Sequence, residues 1–133
     1  MNAIEDAIYD TAIANAGLLA GVGTRIYRSP APQGATYPLV TYHWEGGGDL
    51  NDTPQKAVNA VFLVQAISEK SADEAGDLAD YIRQAFHRVN LTVSGWTAIW
   101  CACENFIQAA ELDTASGKMR WYRGHFVRIR LSE

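Results

Sequence analysis

The sequence is short of almost everything that announces chemistry. It has two cysteines, Cys101 and Cys103. In a strand, residues two apart point the same way but sit too far apart for an easy disulfide, so both read as buried thiols behaving as small hydrophobes. There is no surplus of positive charge. The formal charge of −4 argues against a general binder of nucleic acid, which needs excess Lys and Arg to neutralise phosphate. No apolar run is long enough to cross a bilayer, and the first residues, with Glu5, Asp6 and Asp10, lack the basic start of a secretion signal. A soluble protein made in a cytoplasm is expected, with no membrane partner. Phosphate-binding and nucleophile-elbow patterns are missing, and Gly46-Gly47-Gly48 lacks the strand-to-helix setting that cradles phosphate. His43, His87 and His125 show no metal-ligand spacing. Glu104 and Glu111 have nothing beyond nearness in sequence to make them a catalytic pair. The expectation is therefore no enzyme, no metal and no cofactor.

What is present is an ordinary globular composition, 48% hydrophobic and 20% charged, over a length that suits one domain, residues 1–133. The organising stretch runs from Ala57 to Asn90. Val58, Ala60, Phe62, Val64 and Ala66 share one parity, while Asn59 and Gln65 interrupt the other, which predicts a central strand with one fully buried face. Ser71-Ala72-Asp73-Glu74 has the S-x-x-E spacing of a helix start. Ala75, Leu78, Ala79, Ile82, Phe86 and Val89 then form an apolar stripe at three- and four-residue steps. Gly76 interrupts it in a way that suggests a close approach.

Residues 2–16 read as an amphipathic helix carrying Ile4, Ile8 and Ala12, broken up by Gly17, Gly21 and Gly23. Thr24 to Tyr27 is a short extended piece, and the prolines and glycine between Ser29 and Gly34 make a loop. Leu39 to Glu45 alternates as a half-buried strand. Gly46 to Pro54 then reads as a long, glycine-rich hairpin loop, a length uncommon in a compact domain unless the loop is a binding element or disordered. Thr97 to Ala109 and Met119 to Leu131 predict a hairpin with its turn near Asp113–Lys118. The resulting fold class is α+β: an antiparallel sheet of about four main strands with two helices packed on one face.

Five of the eleven basic residues, Lys118, Arg120, Arg123, Arg128 and Arg130, lie near the C-terminal end. With Trp96, Trp100, Trp121 and Tyr122 they raise a single-stranded nucleic-acid reading. Alternating arginines on a solvated face and a cross-strand aromatic core explain the same residues without a ligand.

The order of elements, with Gly23-Thr24-Arg25-Ile26-Tyr27 after the first helix, the Pro38-Leu39-Val40-Thr41-Tyr42 strand entry, and the strand-plus-helix of Ala57 to Phe86, resembles the tail completion or tail terminator proteins of long-tailed phages and prophages. The resemblance implies a small α+β domain that forms a hexameric ring on the tail tube, ends tube growth and makes the head–tail joint. Implied partners are further copies of the chain, the tail tube protein and a head connector protein, with DNA present only in passing through the ring. The implied location is the virion tail, reached from the host cytoplasm. Within such a ring, Arg128 and Arg130 of one subunit are expected to meet Asp73, Asp77 and Asp80 of the next. Gly46, Gly47, Gly48, Asp49, Leu50, Asn51 and Asp52 are the candidate contact loop for tube or connector. The competing reading is a small α+β binding module using its sheet face and basic C-terminal strand for RNA or an acidic protein partner.

Overall fold

The computed structural model describes residues 2–50 and 57–132. Three helices and five strands follow in the order α1 (Asn2–Ile13), α2 (Ala16–Val22), β1 (Ile26–Arg28), β2 (Leu39–Leu50), β3 (Ala57–Ser68), α3 (Ala72–Phe86), β4 (Thr97–Asp113) and β5 (Lys118–Ser132). The strands form one sheet ordered β1-β2-β3-β5-β4. Neighbours are antiparallel except β1 and β2, which run parallel. The fold is α+β as the pattern of elements implies, but the sheet is mixed and five-stranded, and the helices number three.

β3 sits at the centre, and its two parities part as the sequence requires. Val58, Ala60, Phe62, Val64 and Ala66 are buried in the main core cluster, joined by Val127, Ile129 and Leu131 of β5, Cys101 and Cys103 of β4, and Val40 and Tyr42 of β2. Ile4 and Ile8 of α1, Leu18 and Val22 of α2, and Leu78, Ile82 and Phe86 of α3 complete the same cluster, so the helices lie on one side of the sheet. Phe62 and Phe86 are both fully buried there. The other side of the sheet carries Asn59, Val61, Gln65, Phe126, Arg128 and Arg130, all partly exposed.

The helix start near Ser71 forms with one change. The Ser71 hydroxyl accepts the Glu74 N–H at 3.0 Å, but the Glu74 carboxylate does not return to Ser71. It accepts instead from the buried Ser68 hydroxyl at 2.7 Å, and that hydroxyl accepts the N–H groups of Lys70 and Ser71. The box is closed through a third residue at the end of β3. α3 stops at Phe86, short of the apolar stripe: His87 caps it, and Arg88 turns the chain with φ 57°. Val89 therefore leaves the helix and forms an isolated bridge with Cys101 of β4.

Three further expectations change. The glycines after α1 do not break up one helix. Asn15 caps a second, its side chain accepting the Leu18 N–H at 3.0 Å. A side chain at Gly17 or Gly21 would run into Tyr81 or Leu78, so these glycines let α2 lie close against α3. At Gly76 the near neighbour is the Arg123 guanidinium, not backbone. The glycine-rich stretch expected as a loop is largely strand: Gly46 to Leu50 pair with Val61 to Ala57, after a register shift between Trp44 and Gly46. Backbone pairing needs no side chain, which is why glycine runs hide it. Asn51, Asp52 and the remainder of that stretch to Pro54 lie outside the described residues.

Candidate assembly surface

The groups with chemical potential are spent on structure. Cys101 and Cys103 are free and buried; burial pushes their thiols up to about 12 and about 11, so both stay protonated. Cys101 donates its thiol hydrogen to the Phe86 carbonyl at 3.1 Å, while His87 Nδ1 accepts the Cys103 N–H at 3.1 Å. Together these tie the end of α3 to β4. His125 is buried, and its Nε2–H donates to the Ala79 carbonyl at 3.0 Å. Desolvation holds its pKa below the ordinary histidine range. His43 is paired with Glu45, two residues along β2. Among the described residues, no group of three or more His, Cys, Asp or Glu is placed to hold a metal ion. Nor, among the described residues, is any helix long and apolar enough to cross a membrane.

The expected contact residues fall into two sets on opposite sides of the sheet. Asp73, Asp77 and Asp80 project from α3 into solvent, with no ion pair among the described residues. Beside them Gly76, Arg123 and Phe106 complete a shallow depression between α3 and the β4–β5 hairpin. Arg128 and Arg130 alternate with buried Val127, Ile129 and Leu131, so they stand on the helix-free face. Arg128 is occupied within its own chain: Nε donates to Glu104 of β4, and Nη1 donates to Asn59 Oδ1 of β3 at 3.0 Å. Arg130 has a buried Nε without a hydrogen-bond partner, beside Asn59 and Trp100 in register. Within one subunit the structure does not bring the acids and arginines together. Of the candidate contact loop, Gly46 to Leu50 are in β2, and Asn51 and Asp52 lie outside the described residues.

Sequence reasoning finds the outer strand as half of the C-terminal hairpin but overlooks that it is an edge. β4 is the longest strand and an edge of the sheet, and its hairpin with β5 leaves Phe106, Leu112 and Met119 exposed at 51%, 54% and 39%. The tip of that hairpin is anchored by charge. Glu69, just past β3, meets Lys118 and Arg120, and Arg120 also meets Asp113 at 3.0 Å and lies over the Tyr37 ring. The signal was available as a charge-free, proline-free run between Glu104 and Glu111.

Residues 6–130 match the family described as Tail completion protein gp17. Among solved structures, a chain of the "Virion of native gene transfer agent (GTA) particle" superimposes with a TM-score of 0.79 at 21% identity, over 98% of this chain and 95% of that one. At that identity the likeness is one of fold. No curated protein matches the sequence.

Proposed function

The chain belongs to the family of Tail completion protein gp17 and is a structural protein of a phage-type tail, and from that membership we propose that copies of it form a ring, of six subunits, on the end of the tail tube. The ring ends tube growth and presents a surface to the head connector, with DNA meeting it only in transit. Its place is the virion tail, reached from the host cytoplasm. The observation that carries the reading is the match to a tail completion family across nearly the whole domain, 6–130. The structure is compatible with it: the ionisable groups buried in the domain serve packing and capping, and its unused features are surface charge and open strand.

The test is electron microscopy of tails assembled with and without this chain. Uniform tails with a terminal ring are expected when it is present, and tails of irregular length that fail to join heads when it is missing. Normal tails without it would refute the reading.

Within the ring we assign a subunit contact to Arg130 and Arg128 against Asp73, Asp77 and Asp80 of a neighbour, and a tube or connector contact to the Gly46–Asp52 segment. Arg130 is the stronger member, because Arg128 already has Glu104. Arg128→Glu with Arg130→Glu is expected to abolish ring assembly while the monomer stays folded, as read by light scattering and circular dichroism. Normal rings from that variant would remove the assignment.

A further inference from the structure

Among the described residues the sheet has two edges left open for part of their length, on opposite sides of the subunit. On one side β1 covers only the start of β2: the Tyr42 carbonyl accepts the Ser29 N–H, and beyond it β2 continues from His43 to Leu50 with no strand on its outer side among the described residues. On the other side lies β4. Val89 bridges it at Cys101, and His87 takes the Cys103 N–H, so those residues direct their backbone groups away from β5. The register shift between Cys103 and Asn105 sets the parity of the strand beyond it. Asn105, Ile107, Ala109 and Glu111 turn their N–H and C=O toward β5, and Phe106, Gln108, Ala110 and Leu112 turn theirs outward.

An outward row of backbone donors and acceptors is a template for another strand. Soluble proteins blunt such rows with lysine, proline or an inward-pointing charge, or cover them. Here the run from Asn105 to Ala110 contains none of these, and Phe106 within it is half exposed. We infer that the outer edge of β4 pairs with the free outer edge of β2 in a second copy of this chain, so that one sheet continues from subunit to subunit. The partner is β2, not another β4, because pairing like edges would make a twofold dimer and leave both β2 edges bare. Joining opposite edges covers both in every copy and is head-to-tail, the arrangement that closes into a ring. The inference rests on the ring reading above but stands in place of its arginine–aspartate contact, because a continuous sheet keeps α3 of every subunit on one face and Arg128 and Arg130 on the other.

The test uses the full chain and the parity of β4. Gln108→Pro removes an outward N–H and no bond to β5; Gln108→Lys and Ala110→Lys place a charge on the same edge. All three are expected to keep the circular dichroism of the wild type and to weaken assembly at least tenfold by light scattering. In wild-type assemblies, the amides of Phe106, Gln108, Ala110 and Leu112 are expected to exchange at least tenfold more slowly than in the dilute monomer. Rings that form with these amides unprotected, or that the three variants form as readily as wild type, overturn edge pairing and leave the ring itself standing. A β4-edge-protected dimer that goes no further overturns the choice of β2. A wild type that stays monomeric both free and on tail tubes overturns ring and edge together.

Discussion

β3 and β4 are long strands of the same sheet, separated only by β5, yet they were specified in different ways. β3 is hydrogen-bonded on both sides and buried on its helix face from Val58 to Ala66. Its side chains state their surroundings, because each must match a packed layer. β4 is bonded along one side for nearly all its length, and from Glu104 to Ala110 only Ile107 is better than exposed. There the backbone states what is missing and the side chains are nearly silent. The contrast separates residues that hold the subunit together from residues left exposed along an open edge.

The hardest way to break that contrast is to cut into the centre. Phe62→Ala and Phe86→Ala are each expected to cost about 3–5 kcal/mol in a reversible denaturant melt, because both rings are fully buried and a cavity of that size closes poorly. Leu112→Ala on the edge hairpin, where the side chain is 54% exposed, should stay within about 0.5 kcal/mol. A loss below ~1 kcal/mol for either phenylalanine would mean that the centre contributes less than the burial pattern indicates.

The same contrast explains which parts of the fold were legible in the sequence. Period-two and period-3.6 burial placed β3, α3 and the β4–β5 hairpin within a few residues, since each carries a face that packs. The misreadings sit where backbone decides. Gly46 to Leu50 offered three glycines and no pattern, yet the backbone pairs with β3. The α1–α2 break is fixed by the Asn15 cap rather than by the glycines after it, two of which are contact points for α3. The parallel pairing of β1 involves three residues, too few to carry a period. In the candidate site, the alternation of Arg128 and Arg130 with buried neighbours was legible. Glu104 as the in-chain partner of Arg128 was not, because a cross-strand neighbour depends on the register shift between Cys103 and Asn105.

A smaller effect sharpens the comparison at a single atom. Gly124 of β5 faces Gln65 of β3 in register, and a Cβ there would lie 2.2 Å from the Val64 carbonyl oxygen and 2.5 Å from Gln65 Cα. Backbone cannot yield as a flexible side chain does, so Gly124→Ala is expected to destabilise by about 1–3 kcal/mol through overpacking. Gly76→Ala, whose near neighbour is the movable end of Arg123, should be close to neutral or gain from helix propensity. Equal losses at the two sites in parallel melts would show that the β3–β5 approach is looser than its geometry.

The gentlest probe is pH, acting on the residue that joins centre to edge. His125 is buried beneath α3, donates to the Ala79 carbonyl, and meets the ring of Phe106 from β4 edge-on at 5.4 Å. Its pKa is lowered chiefly by desolvation, opposed by the bond to Ala79. Arg83 and His87 lower it further, and Asp80 on α3 raises it. A lowered folded-state pKa means that the unfolded chain takes up the proton first as pH falls. The stability due to neutral His125 is therefore complete above about pH 6.5, the ordinary histidine value, and erodes as pH drops through that value toward the folded-state pKa. His125→Gln keeps an N–H donor for Ala79 and does not titrate, so this variant is expected to lose part of the acid-side slope while keeping its folded spectrum. The measurement is a series of denaturant melts between about pH 7.5 and pH 5, a range that lies mostly above the carboxylate titrations. A slope identical in wild type and variant would assign the acid sensitivity elsewhere, with His87, lowered by its own desolvation and by Arg83 and Arg88, as the next residue to replace.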